Sequence, residues 1–81
     1  MNNIRNKELL EQLGNHVRKI RLEKGMTMEE LAYASDMELS QVYRIEKGKV
    51  NATISSLYAI AKGFEISLQD LLQDLDLSKL V

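Results

Sequence analysis

The run from Met26 to Gly48, MTMEELAYASDMELSQVYRIEKG, sets two short helical patterns either side of a break, and it limits the fold more than any other stretch. Thr27 can hold the unsatisfied N–H groups that open the first helix, and Glu29 and Glu30 stand at the positive end of its dipole. Leu31 and Ala32 then face inward. Ser35, Asp36 and Met37 interrupt the pattern, with Asp36 placed for a left-handed turn that Asp tolerates better than most non-glycine residues. In the second helix Val42 and Ile45 share a face by their spacing, Ser40, Tyr43, Arg44 and Lys47 point the other way, and Glu46 lies near the inner face. The outward set mixes hydroxyl, phenol, guanidinium and ammonium without a carboxylate, which suits the floor and walls of a DNA major groove. An ordinary solvated helix surface fits the same residues equally well.

On the N-terminal side, Met1 to Lys7 have little apolar periodicity, and the pattern strengthens from Glu8. Leu10, Leu13, Val17, Ile20 and Lys24 recur at helical spacing, which predicts a helix ending near Gly25. Arg21 falls on the inward face and needs a partner there, and Glu46 is the available carboxylate. On the C-terminal side Gly48 stops the second helix and Lys49 to Ala52 form a polar loop. Thr53 caps a further helix lined by Ile54, Leu57, Ile60 and Ala61, with Gly63 near its end and Phe64 and Ile66 as core plugs. Ser67 opens a last helix through Leu68, Leu71 and Leu72, beyond which Leu75, Leu77, Leu80 and Val81 add apolar side chains in excess of a usual tail.

These residues carry a resemblance. The run G-M-T-x-E-E-L-A, a turn, then S-Q-V-Y-R-I-E-K-G-K resembles the helix-turn-helix of the phage-repressor and Cro type, the xenobiotic response element family. Leu13 to Arg21 resembles that family's first helix, and Leu57 to Leu68 its fourth helix and the approach to its fifth, so the likeness runs from about Leu13 to Leu72. It implies an all-α, compact five-helix domain with the recognition helix in the major groove. Leu39, Ser40, Gln41, Tyr43 and Arg44 would then face bases, Thr27, Met28, Lys47, Lys49 and Asn51 would meet phosphates, and Arg21 with Glu46 would form a structural ion pair. The chain departs from the family at Met28, where glutamine is common, at Asp36 for the turn glycine, at Glu38 for a capping Ser or Thr, and at Leu39, which can touch only a thymine methyl.

A length of 81 residues with 44% hydrophobic and 28% charged content predicts one domain over 1–81, with a core of about 9–72 and a C-terminal segment of 73–81. So small a core gains from a second copy, and Tyr58, Leu68, Leu72, Leu75, Leu77 and Leu80 are the candidates for either core or dimer surface. The chain has no cysteine and one histidine, His16, read as a surface residue of the first helix. It has no glycine-rich phosphate loop and no metal-ligand cluster, so neither enzyme, cofactor, metal nor small-molecule ligand is expected, and the four methionines read as filler. No apolar run reaches membrane-spanning length and the N-terminus lacks the apolar core of a secretion signal, which makes the cytoplasm the expected compartment.

The net charge of −1 argues mildly against a polyanion, but its distribution matters more. Arg18, Lys19, Arg21 and Lys24 cluster, as do Arg44, Lys47 and Lys49, while Glu65, Asp70, Asp74 and Asp76 make the far end acidic. The expectation is a homodimer that binds double-stranded DNA at two half-sites roughly 34 Å apart and regulates transcription near its own promoter. Within the family, small size fits the controllers of restriction-modification operons best, ahead of phage repressors. The competing expectations are a protein-interaction module that kept the scaffold without DNA binding, and an antitoxin-type repressor that also binds a toxin.

Overall fold

Short polar side chains open four of the five helices. The computed structural model describes residues 6–73 and residue 75, and among them it places α1 at Lys7–Glu23, α2 at Met28–Ala34, α3 at Leu39–Glu46, α4 at Ile54–Phe64 and α5 at Leu68–Leu72, with no strand. The Leu9 N–H donates to Oδ1 of Asn6, which starts α1 one residue earlier than the apolar pattern suggests. Thr27 accepts from the Glu30 N–H while Glu30 accepts from the Thr27 N–H, at 3.0 and 2.8 Å, a reciprocal cap. Thr53 and Ser56 repeat it on α4, and Ser67 caps α5. Glu38 precedes α3, where the Gln41 amide oxygen reaches back to the Glu38 N–H at 3.4 Å.

The first four helices end by one device, a left-handed residue whose N–H and the next residue's N–H return to carbonyls of the last turn. Gly25 and Gly48, both at φ 69°, provide it after α1 and α3, and Asp36 at φ 54° provides it after α2, as the sequence pattern predicts. After α4 the left-handed residue is Glu65 at φ 62°, and Gly63 lies inside the helix. Gly63 answers a different demand, since a Cβ there would come within 2.5 Å of Ser35 Oγ at the junction of α2 and α4. Glutamate has no glycine-like tolerance for this backbone, so Glu65→Gly is expected to stabilise the fold by about 0.5–1 kcal/mol, after allowing for the greater freedom of glycine in the unfolded chain. A urea denaturation midpoint that falls instead of rising would count against strain at this turn.

The core brings together Leu13 and Val17 of α1, Leu31 and Ala32 of α2, Val42 and Ile45 of α3, Leu57, Ile60, Ala61 and Phe64 of α4, and Leu71 of α5. Three expectations need correction. Lys24 is exposed, because α1 has already ended at Glu23 and the inward direction is taken by Arg21. Ile54 keeps the spacing of the α4 stripe but, as its first residue beside the polar loop, stays 65% exposed. His16 is half-buried with its Nε2 shut from solvent, so it is no simple surface residue. Leu68, Leu72 and Leu75 are partly buried against the chain's own core, as are Ile66, Met26, Met28 and Met37. Leu77 and Leu80 lie outside the described residues. No helix among the described residues is long and apolar enough to cross a membrane.

Candidate nucleic-acid interface

Helix α3 is held from behind along one stripe of α1. At Glu11 the stripe meets Gly48, where an added Cβ would stand 3.0 Å from the Glu11 Cα. One turn on, at Gly14, the α3 backbone comes so near that a Cβ would lie 2.5 Å from the carbonyl oxygens of Ile45 and Glu46. Two further turns on, Arg21 clasps Glu46. Its Nε donates to Oε2 at 2.7 Å and its Nη2 to Oε1 at 3.1 Å, a forked ion pair with both side chains buried. Arg21 Nη1 also donates to the Met26 carbonyl at 2.8 Å, which ties the α1–α2 turn to the same guanidinium. The Glu46 carboxylate raises the Arg21 pKa through this hydrogen bond, against the lowering effect of burial.

With that side fixed, Leu39, Ser40, Gln41, Tyr43 and Arg44 lie exposed on the opposite face. Arg44 has no carboxylate partner among the described residues. Lys47 and Lys49 are also exposed, and their ammonium nitrogens stand 5.7 and 5.9 Å from the centroid of the Tyr43 ring. Asn51 is exposed on the loop after Gly48, and Gln41, Arg44, Asn51 and Thr53 border the groove between α3 and that loop. Thr27 is exposed at the head of α2 with its hydroxyl already occupied by the Glu30 N–H.

A second groove, polar in character, runs between α1, the head of α2 and the end of α3, lined by Glu11, Asn15, Arg18, Met28, Glu46 and Lys47. It brings Met28 and Lys47 together and adds Arg18, which the motif comparison alone does not single out. Its signal in the sequence is position, four residues after Gly14 and three before Arg21 on the helix face that meets α3. The cationic surface is correspondingly redrawn. Arg21 is buried and neutralised by Glu46, so it leaves the basic cluster of α1 and cannot face a polyanion. Tyr58 stands apart on α4, 55% exposed, with Lys62 Nζ 5.9 Å from its ring centroid. No group of three or more His, Cys, Asp or Glu side chains placed to hold a metal ion occurs among the described residues.

This arrangement has close counterparts. The family model described as Helix-turn-helix matches residues 17–71. An HTH-type transcriptional regulator of Archaeoglobus fulgidus is 36% identical over 55 residues, 68% of this chain and 79% of that protein. The regulator DdrOP3 of Deinococcus deserti is 25% identical over 65 residues, 80% of this chain, and the chain spans half of that protein's length. Among solved structures, the restriction-modification controller protein C.Esp1396I, as a tetramer in complex with its natural 35 base-pair operator, is 41% identical with a TM-score of 0.78, covering 84% of this chain and 90% of that one.

Proposed function

The chain belongs to the helix-turn-helix family of transcriptional regulators, and on that premise we propose that it binds duplex DNA as a homodimer and controls transcription in the manner of a restriction-modification controller. The observation that carries the reading is the outward face of α3, five exposed side chains with no carboxylate on a helix seated by the Arg21–Glu46 clasp. The likeness to C.Esp1396I, solved in complex with its operator, supports a DNA-binding role. Leu39, Ser40, Gln41, Tyr43 and Arg44 meet base edges, and Thr27, Met28, Lys47, Lys49 and Asn51 meet phosphates. Met28 does so by van der Waals contact only, since a thioether is at best a weak acceptor. Tyr58, Leu68, Leu72 and Leu75 supply the contact between copies, which sets two recognition helices on successive half-sites. The protein acts in the cytoplasm and without enzymatic chemistry.

Arg44 is the guanidinium on this face, and its fork matches the two acceptors of a guanine edge. After the preferred site has been selected from a random duplex pool, Arg44→Ala is expected to weaken binding to it by about 1–3 kcal/mol and to relax preference at one position per half-site. Lys47→Ala should instead weaken all duplexes alike and lower the salt slope by about one per subunit, about two for the dimer. An Arg44→Ala variant that loses affinity equally for every sequence would move Arg44 to the phosphate group of contacts. A chain that fails to bind duplex DNA even at low salt would return the scaffold to a protein-interaction role.

A further inference from the structure

Tyr43 does more in this surface than present a phenol. It lies on the outer face of α3 with 44% of its surface exposed. Lys47 follows one turn later, where an i, i+4 side chain passes over the same face. Lys49 would continue away from the helix were it not for Gly48, whose left-handed backbone folds the chain back so that the Lys49 N–H donates to the Arg44 carbonyl at 2.9 Å. The outcome is two ammonium groups within 6 Å of one ring centroid, both inside the range in which the negative face of an aromatic ring attracts a cation.

Both ammonium groups are drawn to the same ring, so an anion arriving beside it meets two cations already gathered there. Lysine stems are among the most flexible side chains, and fixing them at an interface normally loses affinity through lost rotamer freedom. A ring that gathers both stems beforehand reduces that loss. We propose that Tyr43 is a positioning residue for DNA binding, its ring holding Lys47 and Lys49 together as a preformed seat for the phosphate backbone. This rests on the duplex-binding reading above and adds to it a role for the ring that base contact does not require.

The test compares wild type, Tyr43→Phe, Tyr43→Leu, the Lys47→Ala/Lys49→Ala variant, and that variant carrying Tyr43→Leu. Each is titrated with random-sequence duplex DNA, and the ring-current shifts of the lysine ε-methylene protons are read by NMR in the DNA-free proteins, with thermal unfolding recorded for each. The Phe variant should keep the upfield shifts and bind within about twofold of wild type, while the Leu variant loses the shifts and binds about fivefold more weakly at an unchanged unfolding midpoint. In the background lacking both lysines, Tyr43→Leu should cause a clearly smaller loss, limited to what the ring's own base contact contributes on random sequence. An equal loss in that background overturns the proposal, because the ring would then act through its own DNA contact alone and not through the lysines. So does a Phe variant as weak as Leu, which assigns the effect to the hydroxyl, and so does a Leu variant that binds like wild type. Shifted lysine resonances in a wild-type chain that binds no duplex would overturn the DNA reading while leaving the ring geometry standing, which separates the two failures.

Discussion

Replacing Gly14 with alanine is expected to lower the stability of the fold by about 3 kcal/mol in urea denaturation, although the same exchange in an isolated helix would stabilise it by up to about 1 kcal/mol. The reversal of sign comes from one contact. A Cβ at this position would lie 2.5 Å from the carbonyl oxygens of Ile45 and Glu46 and 2.8 Å from the Glu46 carbonyl carbon. These are backbone atoms in the last turn of α3, so no rotamer change can withdraw them, and α1 and α3 must separate instead. Separation loosens the α1 stripe at its neighbouring points, Glu11 against Gly48 and Arg21 against Glu46. Because α3 also carries the outward face, the surviving folded molecules should bind DNA more weakly than their population predicts. A neutral or stabilised Gly14→Ala protein would mean that helix propensity governs this position and that the two helices stand further apart.

Gly14 also marks the boundary of what could be read from the sequence. Helix identity and facing were legible because they rest on local chemistry: Thr27, Thr53 and Ser67 as caps, Gly25, Asp36 and Gly48 as stops, and the spacing of Val17, Leu31, Val42 and Ile60. The Arg21–Glu46 contact was legible for a related reason, since two opposite charges on inward faces each require a partner and the chain offers few alternatives. The distance between helices is another matter. A glycine within the apolar stripe of α1 reads as a weak helix former, and only the long-range approach of α3 shows it to be the one residue small enough. Ile54 and Glu65 escaped for the same kind of reason. The α4 stripe predicts a direction for Ile54 without saying where its cover ends, and a left-handed glutamate carries no compositional sign.

For the interface, exposure of the α3 face followed from exclusion, because Val42, Ile45 and Glu46 had already taken the inward directions. What each outward side chain does was less visible. Gln41 leans back toward the Glu38 N–H, a weak contact that the spacing of α3 alone does not show. Tyr43 lies under two lysines, one of which reaches it only through the turn at Gly48. The C-terminal leucines divide in the same way. Leu71 is wholly buried within the single chain and Leu68, Leu72 and Leu75 are partly so, which makes α5 a necessary part of the fold before any second copy is considered.

The other large effect belongs to the pair that closes α1 on α3. Arg21→Met is expected to lose about 3–5 kcal/mol of stability, because it leaves the Glu46 carboxylate, 1% exposed, without its cation. Glu46→Leu should lose a comparable amount by stranding the guanidinium. Both losses are large against the total stability of about 5–15 kcal/mol usual for a folded domain, so denaturation is best followed at low temperature or with a stabilising osmolyte. The Arg21→Met/Glu46→Leu double variant should lose much less than the sum of the two, since no unpaired charge remains in the interior. It should not return to the wild-type value, because the Met26 carbonyl still lacks the Nη1 donor that holds it at 2.8 Å. The pair should also resist alkali. A guanidinium whose folded-state pKa is raised contributes its full stabilisation below its unfolded pKa and loses it only as pH rises through the folded value, beyond the range in which the chain is handled. Additive single losses in the double-mutant cycle would show that Arg21 and Glu46 act separately, and the seat of α3 on α1 would then rest on the close approaches at Glu11 and Gly14.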